Sequence, residues 1–285
     1  MAQKLIALVF CLGLLLHGCG GDTGGDKPSA PLATPTTTTA PEPPPPNPVT
    51  PNPATPTPAP PPSPPLPMCL CVFDIDRTLT GKQGQVANCP SDKQFDGIYD
   101  AAYSGGTLLV SEGLLKLKES FCRDCYLGII SAGTASGPGS NERKKLVELL
   151  QEGGHLPVGL TEAWNPSGCA PSVQIVAPLV TSCQDETKHL SIPGIQKFYA
   201  DKFNASVKDE QVYFFDDRHI NIDPFKAYQS QHKYNARQIS CRTRDDEIGM
   251  CGATLAEFKD AQKGISECKP PSREHSEAIA LQVVV

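Results

Sequence analysis

Two pairs of carboxylates and one hydroxyl stand directly behind apolar runs in this chain. In Val72-Phe73-Asp74-Ile75-Asp76-Arg77-Thr78-Leu79-Thr80 two aspartates sit one residue apart, and Val212-Tyr213-Phe214-Phe215 runs straight into Asp216-Asp217. An ionised carboxylate at the end of a buried strand is costly unless it is paired or bound to a cation. Several converging at one edge would repel one another unless a hard cation bridged them. Oxygen ligands suit Mg²⁺, which keeps waters and takes one or two carboxylates plus phosphate oxygens. Asp74, Asp76, Asp216 and Asp217 are therefore candidate metal ligands. A phosphoryl group also needs donors, and Ser131, behind Gly128-Ile129-Ile130, and a lysine can supply them. A single Asp-x-Asp is commonly a solvated turn, so the ordered set is what marks a site.

Residues so placed need a scaffold that ends several buried strands at one edge. The apolar runs Cys69 to Phe73, Tyr126 to Ile130 and Val212 to Phe215 read as such strands, with Val173 to Val176 a weaker third in chain order and Ala236 to Ser240 a fifth. Helical faces alternate with them. Leu114, Leu117 and Phe121 share one, within a core helix expected over Ser111 to Ser120. Leu146, Leu149 and Leu150 share another, with Ser140 as N-cap and Gly153 just past the end. Ile195, Phe198, Tyr199 and Phe203 form a third behind Pro193, a residue suited to a first helical position. Strands alternating with helices imply an α/β fold with a parallel sheet, whose ligands bind at the strands' carboxyl ends.

At these residues the sequence resembles the haloacid dehalogenase (HAD) superfamily of Mg²⁺-dependent phosphohydrolases. Phe73 to Thr80 matches its first motif, an apolar run followed by Asp-x-Asp-x-Thr-Leu-Thr. Gly128 to Ser131 matches the second, and Tyr213 to Asp217 the fourth. The resemblance implies a Rossmann-like core over roughly residues 68 to 251. It implies that Asp74 is the nucleophile that forms an aspartyl-phosphate and that Asp76 is the acid, then the base. It further places the Ser131 hydroxyl on a phosphate oxygen and Mg²⁺ on Asp74, Asp216, Asp217 and the backbone carbonyl of Asp76. The third motif, a lysine ahead of the helix leading into the last strand, falls to Lys188; Lys197 competes from within the helix, where it would face solvent. Arg77 departs from the pattern, which usually has a small or acidic residue there, and is read either as a contact to substrate anions or as a surface side chain. A small insert over Gly81 to Thr107 stands where the family often carries a cap, implying an open site. The segments Gly133 to Gly139 and Gly153 to Cys183 are alternative covers. His219 and Trp164 read as loop and packing residues, and Asn221 as a tether for the loop after Asp217.

Cys11 and Cys19 aside, ten cysteines remain, an even number that suits disulfides outside the cytosol. If the strands ending at Asp74 and Ser131 are neighbours in register, as in the resembled sheet, Cys69 and Cys125 stand opposite each other, away from the site. Strands about 4.8 Å apart put such a pair within disulfide range. The expectation is a Cys69 to Cys125 bridge, with Cys71 or Cys122 taking other partners. The rival is a zinc site built from Cys69, Cys71, Cys122 and Cys125.

The rest of the chain sets the context. Of its 285 residues 20% are charged, for a net charge of -6 without a basic run, so a nucleic-acid partner is not expected. Lys4 and the run Leu5 to Leu16 read as an export signal over residues 1–18, too short to span a bilayer. Leu16-His17-Gly18-Cys19 resembles a lipoprotein box that would anchor the chain through Cys19; ordinary cleavage near Gly18 stands equally open. Between Pro28 and Pro67 lie 19 of the 29 prolines, so residues 19–67 are expected to be a disordered Pro/Thr-rich stalk. Residues 68–268 are expected to form the catalytic domain and 269–285 a tail, whose end Ala278 to Val285 is too short to be a second anchor. Asn204-Ala205-Ser206 is a glycosylation sequon for a eukaryotic host, whereas Pro166 excludes Asn165. These readings converge on an exported, Mg²⁺-dependent phosphomonoester hydrolase acting on a substrate of unspecified identity, with no transmembrane segment in the mature chain. A non-catalytic binding module on the same fold and a phosphotransferase to an acceptor alcohol are the alternatives.

Overall fold

The structure, a computed structural model, describes residues 68–160, 163–166 and 168–268. The export signal, Cys19, the stalk and the tail lie outside the described residues. The strands in chain order are β1 (Leu70–Phe73), β2 (Lys93–Asp100), β3 (Gly106–Val110), β4 (Tyr126–Ile130), β5 (Leu179–Val180), β6 (Val212–Asp216), β7 (Asn235–Gln238), β8 (Arg244–Asp245), β9 (Ile248–Gly249) and β10 (Ile265–Ser266). The α-helices are α1 (Glu112–Leu115), α2 (Asn141–Gly153), α3 (Ile192–Phe203), α4 (His219–Tyr228) and α5 (Leu255–Phe258).

Six strands form one parallel sheet in the order β10-β7-β6-β1-β4-β5. Every residue of β1, β4 and β6 is buried, as befits strands covered on both faces. The period of two sorts their side chains. Cys71, Phe73, Leu127, Ile129, Tyr213 and Phe215 point to one core with Leu114, Leu146, Leu150 and Phe258. Leu70, Val72, Tyr126, Ile130, Val212 and Phe214 point to the other with Ile192, Ile195, Tyr199, Ile222 and Phe225. The result is an α/β/α sandwich compatible with a Rossmann-like fold. Ser140 caps α2 by accepting from Arg143 N at 3.2 Å, and Pro193 lies in the first turn of α3. The insert expected over residues 81–107 runs through turns into an antiparallel hairpin of β2 and β3 that extends to Val110, with an irregularity between Phe95 and Tyr99.

Three expectations need correction. Val173 to Val176 is not a strand; the neighbour of β4 is Leu179–Val180, reached because Ile129 N donates to the carbonyl of Pro178. Val176 is instead 58% exposed. The helix expected over Ser111 to Ser120 is broken into the single turn α1 and two 3-10 turns, Leu117–Glu119 and Phe121–Asp124. Ser120 is extended, and its hydroxyl accepts from Cys122 N, so it starts the second 3-10 turn rather than continuing a helix. Arg77 does not lie along the surface: it is 4% exposed and donates to the carbonyl of Gly249.

Five disulfides join the ten cysteines. Leu70 pairs with Tyr126, so Cys69 and Cys125 stand opposite across β1 and β4 and are bridged. Cys71 and Cys122 pair with each other, which leaves no four-thiolate zinc site. Cys89–Cys251, Cys169–Cys183 and Cys241–Cys268 complete the set, a number that fits an oxidising environment. No helix among the described residues is long and apolar enough to cross a membrane.

Candidate active site

Parallel pairing brings the carboxyl ends of β1, β4 and β6 to one edge. Phe73 is level with Ile129 and Phe215, so Asp74, Ser131, Asp216 and Asp217 follow within a residue or two of the same line. Asp74 stays locked to that line because its N–H donates to the carbonyl of Phe215 at 2.9 Å. Lys188 arrives from the 3-10 turn Lys188–Ser191 ahead of α3, which aims its side chain inward. Its Nζ lies 2.9 Å from Asp74 Oδ1 and 2.7 Å from Asp216 Oδ2, with the lysine only 2% exposed. Lys197 is elsewhere, on the solvent face of α3 and paired with Asp201.

One carboxylate oxygen from each of Asp74, Asp216 and Asp217 lies within 4.8 Å of the others. Asp217 Oδ2 accepts from Gly249 N at 2.6 Å, while its Oδ1 is buried without a hydrogen-bond partner. Burial pushes the Asp74 and Asp217 carboxyls upward, and Asp216 adds to both shifts. Burial works against the ammonium of Lys188, but Asp216 and Asp74 outweigh it and hold the lysine above its ordinary value. Three carboxyl groups gathered beside one lysine form an all-oxygen donor set with an orphaned buried oxygen, which fits a hard divalent cation such as Mg²⁺.

After Asp74 the backbone makes one wide turn, closed by Thr80 N donating to the carbonyl of Ile75, with Arg77 in the left-handed region at φ 66°. That turn directs Asp76 into a cavity of about 390 Å³ lined among others by Asp74, Asp76, Tyr103, Gly133, Glu142 and Asp217. The Asp76 carboxylate does not join the Asp74 trio. It groups with Asp100 and Glu142. Burial first, and then the charges of Asp100 and Glu142, raise Asp76 to about 7. Gly133 is needed beside it, because a Cβ there would stand 2.8 Å from Asp76 Oδ2. Ser131 is fully buried, and its Oγ accepts from Gly133 N at 3.1 Å, behind the cavity wall formed by Ala132 and Gly133.

Several contributors carry no sequence signal. Asp100 ends β2, and the apex behind it places Ala101, Ala102 and Tyr103 on the cavity, with the Arg77 guanidinium 4.5 Å from the Tyr103 ring. Glu142 stands in the first turn of α2, where an acidic residue ordinarily answers the helix dipole. Asp185 holds Arg218 at the cavity rim. Asn221 reaches back from α4 to donate to Asp216 and Asp185 and accepts from Glu186 N, a wider tether than the loop after Asp217. Trp164 is buried beneath the Arg143 guanidinium, and His219 opens α4. No family model, curated protein or solved structure matches the chain.

Proposed function

We propose that this chain is an exported, HAD-type phosphomonoester hydrolase that uses Mg²⁺. The observation that carries the reading is the buried Asp74, Lys188, Asp216 and Asp217 constellation at one sheet edge, with Asp76 projecting into the adjoining cavity. Asp74, Asp216 and Asp217 would hold the cation, with the backbone carbonyl of Asp76. Bound there, Mg²⁺ would offset the charge of the carboxylates and of the phosphoryl oxygens.

The chain's own groups divide the chemistry. An Asp74 oxygen attacks phosphorus as the bond to the ester oxygen breaks, giving an aspartyl-phosphate. Asp76 gives its proton to the departing oxygen, so the product leaves as an alcohol. Asp76, now a carboxylate, takes a proton from water as that water attacks phosphorus, releasing phosphate and restoring Asp74. A carboxyl raised to about 7 suits this double duty near neutrality. Lys188 holds Asp74 in place and opposes charge on the phosphoryl oxygens. Ser131 supports the phosphate-facing loop through Gly133. The insert with its β2–β3 hairpin acts as a small cap that leaves the site open.

The test is p-nitrophenyl phosphate hydrolysis by the oxidised chain with and without Mg²⁺, beside Asp74→Asn. Metal-dependent turnover that the substitution abolishes is expected. A folded chain that binds Mg²⁺ yet releases no nitrophenol would overturn the reading.

A further inference from the structure

The cavity that adjoins Asp74 has an uneven lining. The hairpin apex and the loop after Ser131 bring to it Ala101, Ala102 and residues 132–136, all with short side chains, and one large ring, Tyr103. Tyr103 is 55% exposed although one face of its ring rests on the guanidinium of Arg77, itself 4% exposed, at 4.5 Å. A ring backed on one side and still more than half exposed has its other face open. Burial of its hydroxyl end, and after it the charges of Asp217, Asp74 and Asp76, hold the phenol protonated, so the tip lies toward the aspartates.

The backbone around this ring is strained. Tyr103, Ala135 and Ser136 all line the cavity, and all lie in the left-handed region, at φ 53°, 46° and 55°. That region disfavours a side chain, a bulky one most of all, and such residues persist where their surroundings hold them and gather at ligand sites. The clamp is Ser136, whose hydroxyl accepts from Ala101 N at 2.9 Å and donates to the Glu142 carboxylate, tying the apex to the loop and to α2. Tyr103 belongs to neither hydrophobic core, so packing of the fold does not account for a ring presented in this way.

We propose that Tyr103 selects phosphomonoesters whose alcohol carries an aromatic ring close to the ester oxygen, stacking its open face on that ring while the phosphoryl group stands at Asp74. The inference rests on the phosphatase reading above and names its substrate class. Aromatic pairs favour one another beyond the area they bury. The short side chains beside Tyr103 leave room for a flat ring, and the alanine methyls among them give it apolar contact. A cavity of about 390 Å³ holds a benzyl-sized group together with the phosphate.

The test compares kcat/KM for benzyl phosphate and cyclohexylmethyl phosphate on the full chain with Mg²⁺. Both are esters of primary alcohols of the same reach, so their ratio reports the aromatic contact rather than the leaving group. A preference of about threefold to tenfold for the benzyl ester is expected. It persists in Tyr103→Phe and falls toward one in Tyr103→Leu, which keeps apolar bulk without a ring. A ratio near one in the parent chain, a preference that survives Tyr103→Leu, or a loss shared equally by both esters overturns the inference, the last by showing that Tyr103 only covers Arg77. In each of these cases p-nitrophenyl phosphate turnover leaves the phosphatase reading standing. Should no ester be hydrolysed, thermal shifts with 2-phenylethylphosphonate and 2-cyclohexylethylphosphonate decide the matter. A larger shift for the aromatic ligand, kept in Tyr103→Phe and lost in Tyr103→Leu, supports the inference, and equal or absent shifts overturn it.

Discussion

Buried carboxylates set the chemistry of this molecule residue by residue, and the same physics reaches beyond the site. Asp92 accepts from Glu112 N at 3.0 Å through Oδ1, while its Oδ2 is buried without a hydrogen-bond partner. Burial pushes its carboxyl up to about 7. An unfolded chain loses that proton near the ordinary aspartate value of about 4, whereas the folded chain keeps it until about 7. Between those limits the native state binds more protons, so this residue's contribution falls as pH rises and its penalty is complete above about 7. Asp92→Asn should therefore flatten the loss of Tm between pH 4 and 7 and raise Tm at pH 8, measured beside the parent by scanning calorimetry. An unchanged slope would show that Asp92 titrates as an ordinary surface carboxylate. Lys188 illustrates the limit of reading such residues from spacing. Its place ahead of the Pro193 helix marked it, but only the 3-10 turn of residues 188–191 turns its ammonium inward while Lys197, nine positions on, faces water.

At the scale of elements, short loops at the carboxyl edge depend on the caps of the helices that follow them. Ser140 accepts from Arg143 N and donates to the carbonyl of Ala135 at 2.8 Å, so one hydroxyl both starts α2 and ties it to the loop that carries Gly133 and Ser136. Ser140→Ala should cost about 1 kcal/mol of stability in urea unfolding, the usual worth of an N-cap. A loss that also lowers kcat of the proposed phosphatase activity would show the loop's dependence on the cap. The hairpin of β2 and β3 is positioned differently, by the Arg77 guanidinium against Tyr103 at its apex and by Cys89–Cys251 near its base. Helix α2, helix α3 and the buried strands were legible because their apolar spacing and caps are local properties. The two-residue strand β5 was not, since Leu179–Val180 is decided by an open edge on β4; the break after Ser111 is local, made by Ser120 capping the turn at Cys122, and was masked by the helical spacing of Leu114, Leu117 and Phe121.

Across the whole molecule, covalent closure and sheet topology act together. Cys69–Cys125 and Cys71–Cys122 close nearly the same loop, with separations of 56 and 51 residues. Closing a loop of this size removes chain entropy worth about 4 kcal/mol, and the second bond within it adds far less. Replacing Cys69 and Cys125 together by alanine should lower stability only slightly. Removing both bridges should cost on the order of 4 kcal/mol more than removing either one alone, plus the packing of Cys71 and Cys122. Denaturant titrations of the two double variants and the quadruple variant check this; equal, additive losses would contradict it. What the amino-acid sequence determined by itself was whatever depends on local order: buried strands ending in Asp74, Ser131 and Asp216, the capped helices, and, through the register the resemblance implied, the pairing of Cys69 with Cys125. What only the tertiary structure decided was which distant residues meet. Asp100 from a hairpin and Glu142 from a helix start join Asp76 because three loops converge over one sheet edge. No spacing in the chain encodes such a meeting, since contacts between loops depend on packing and not on period.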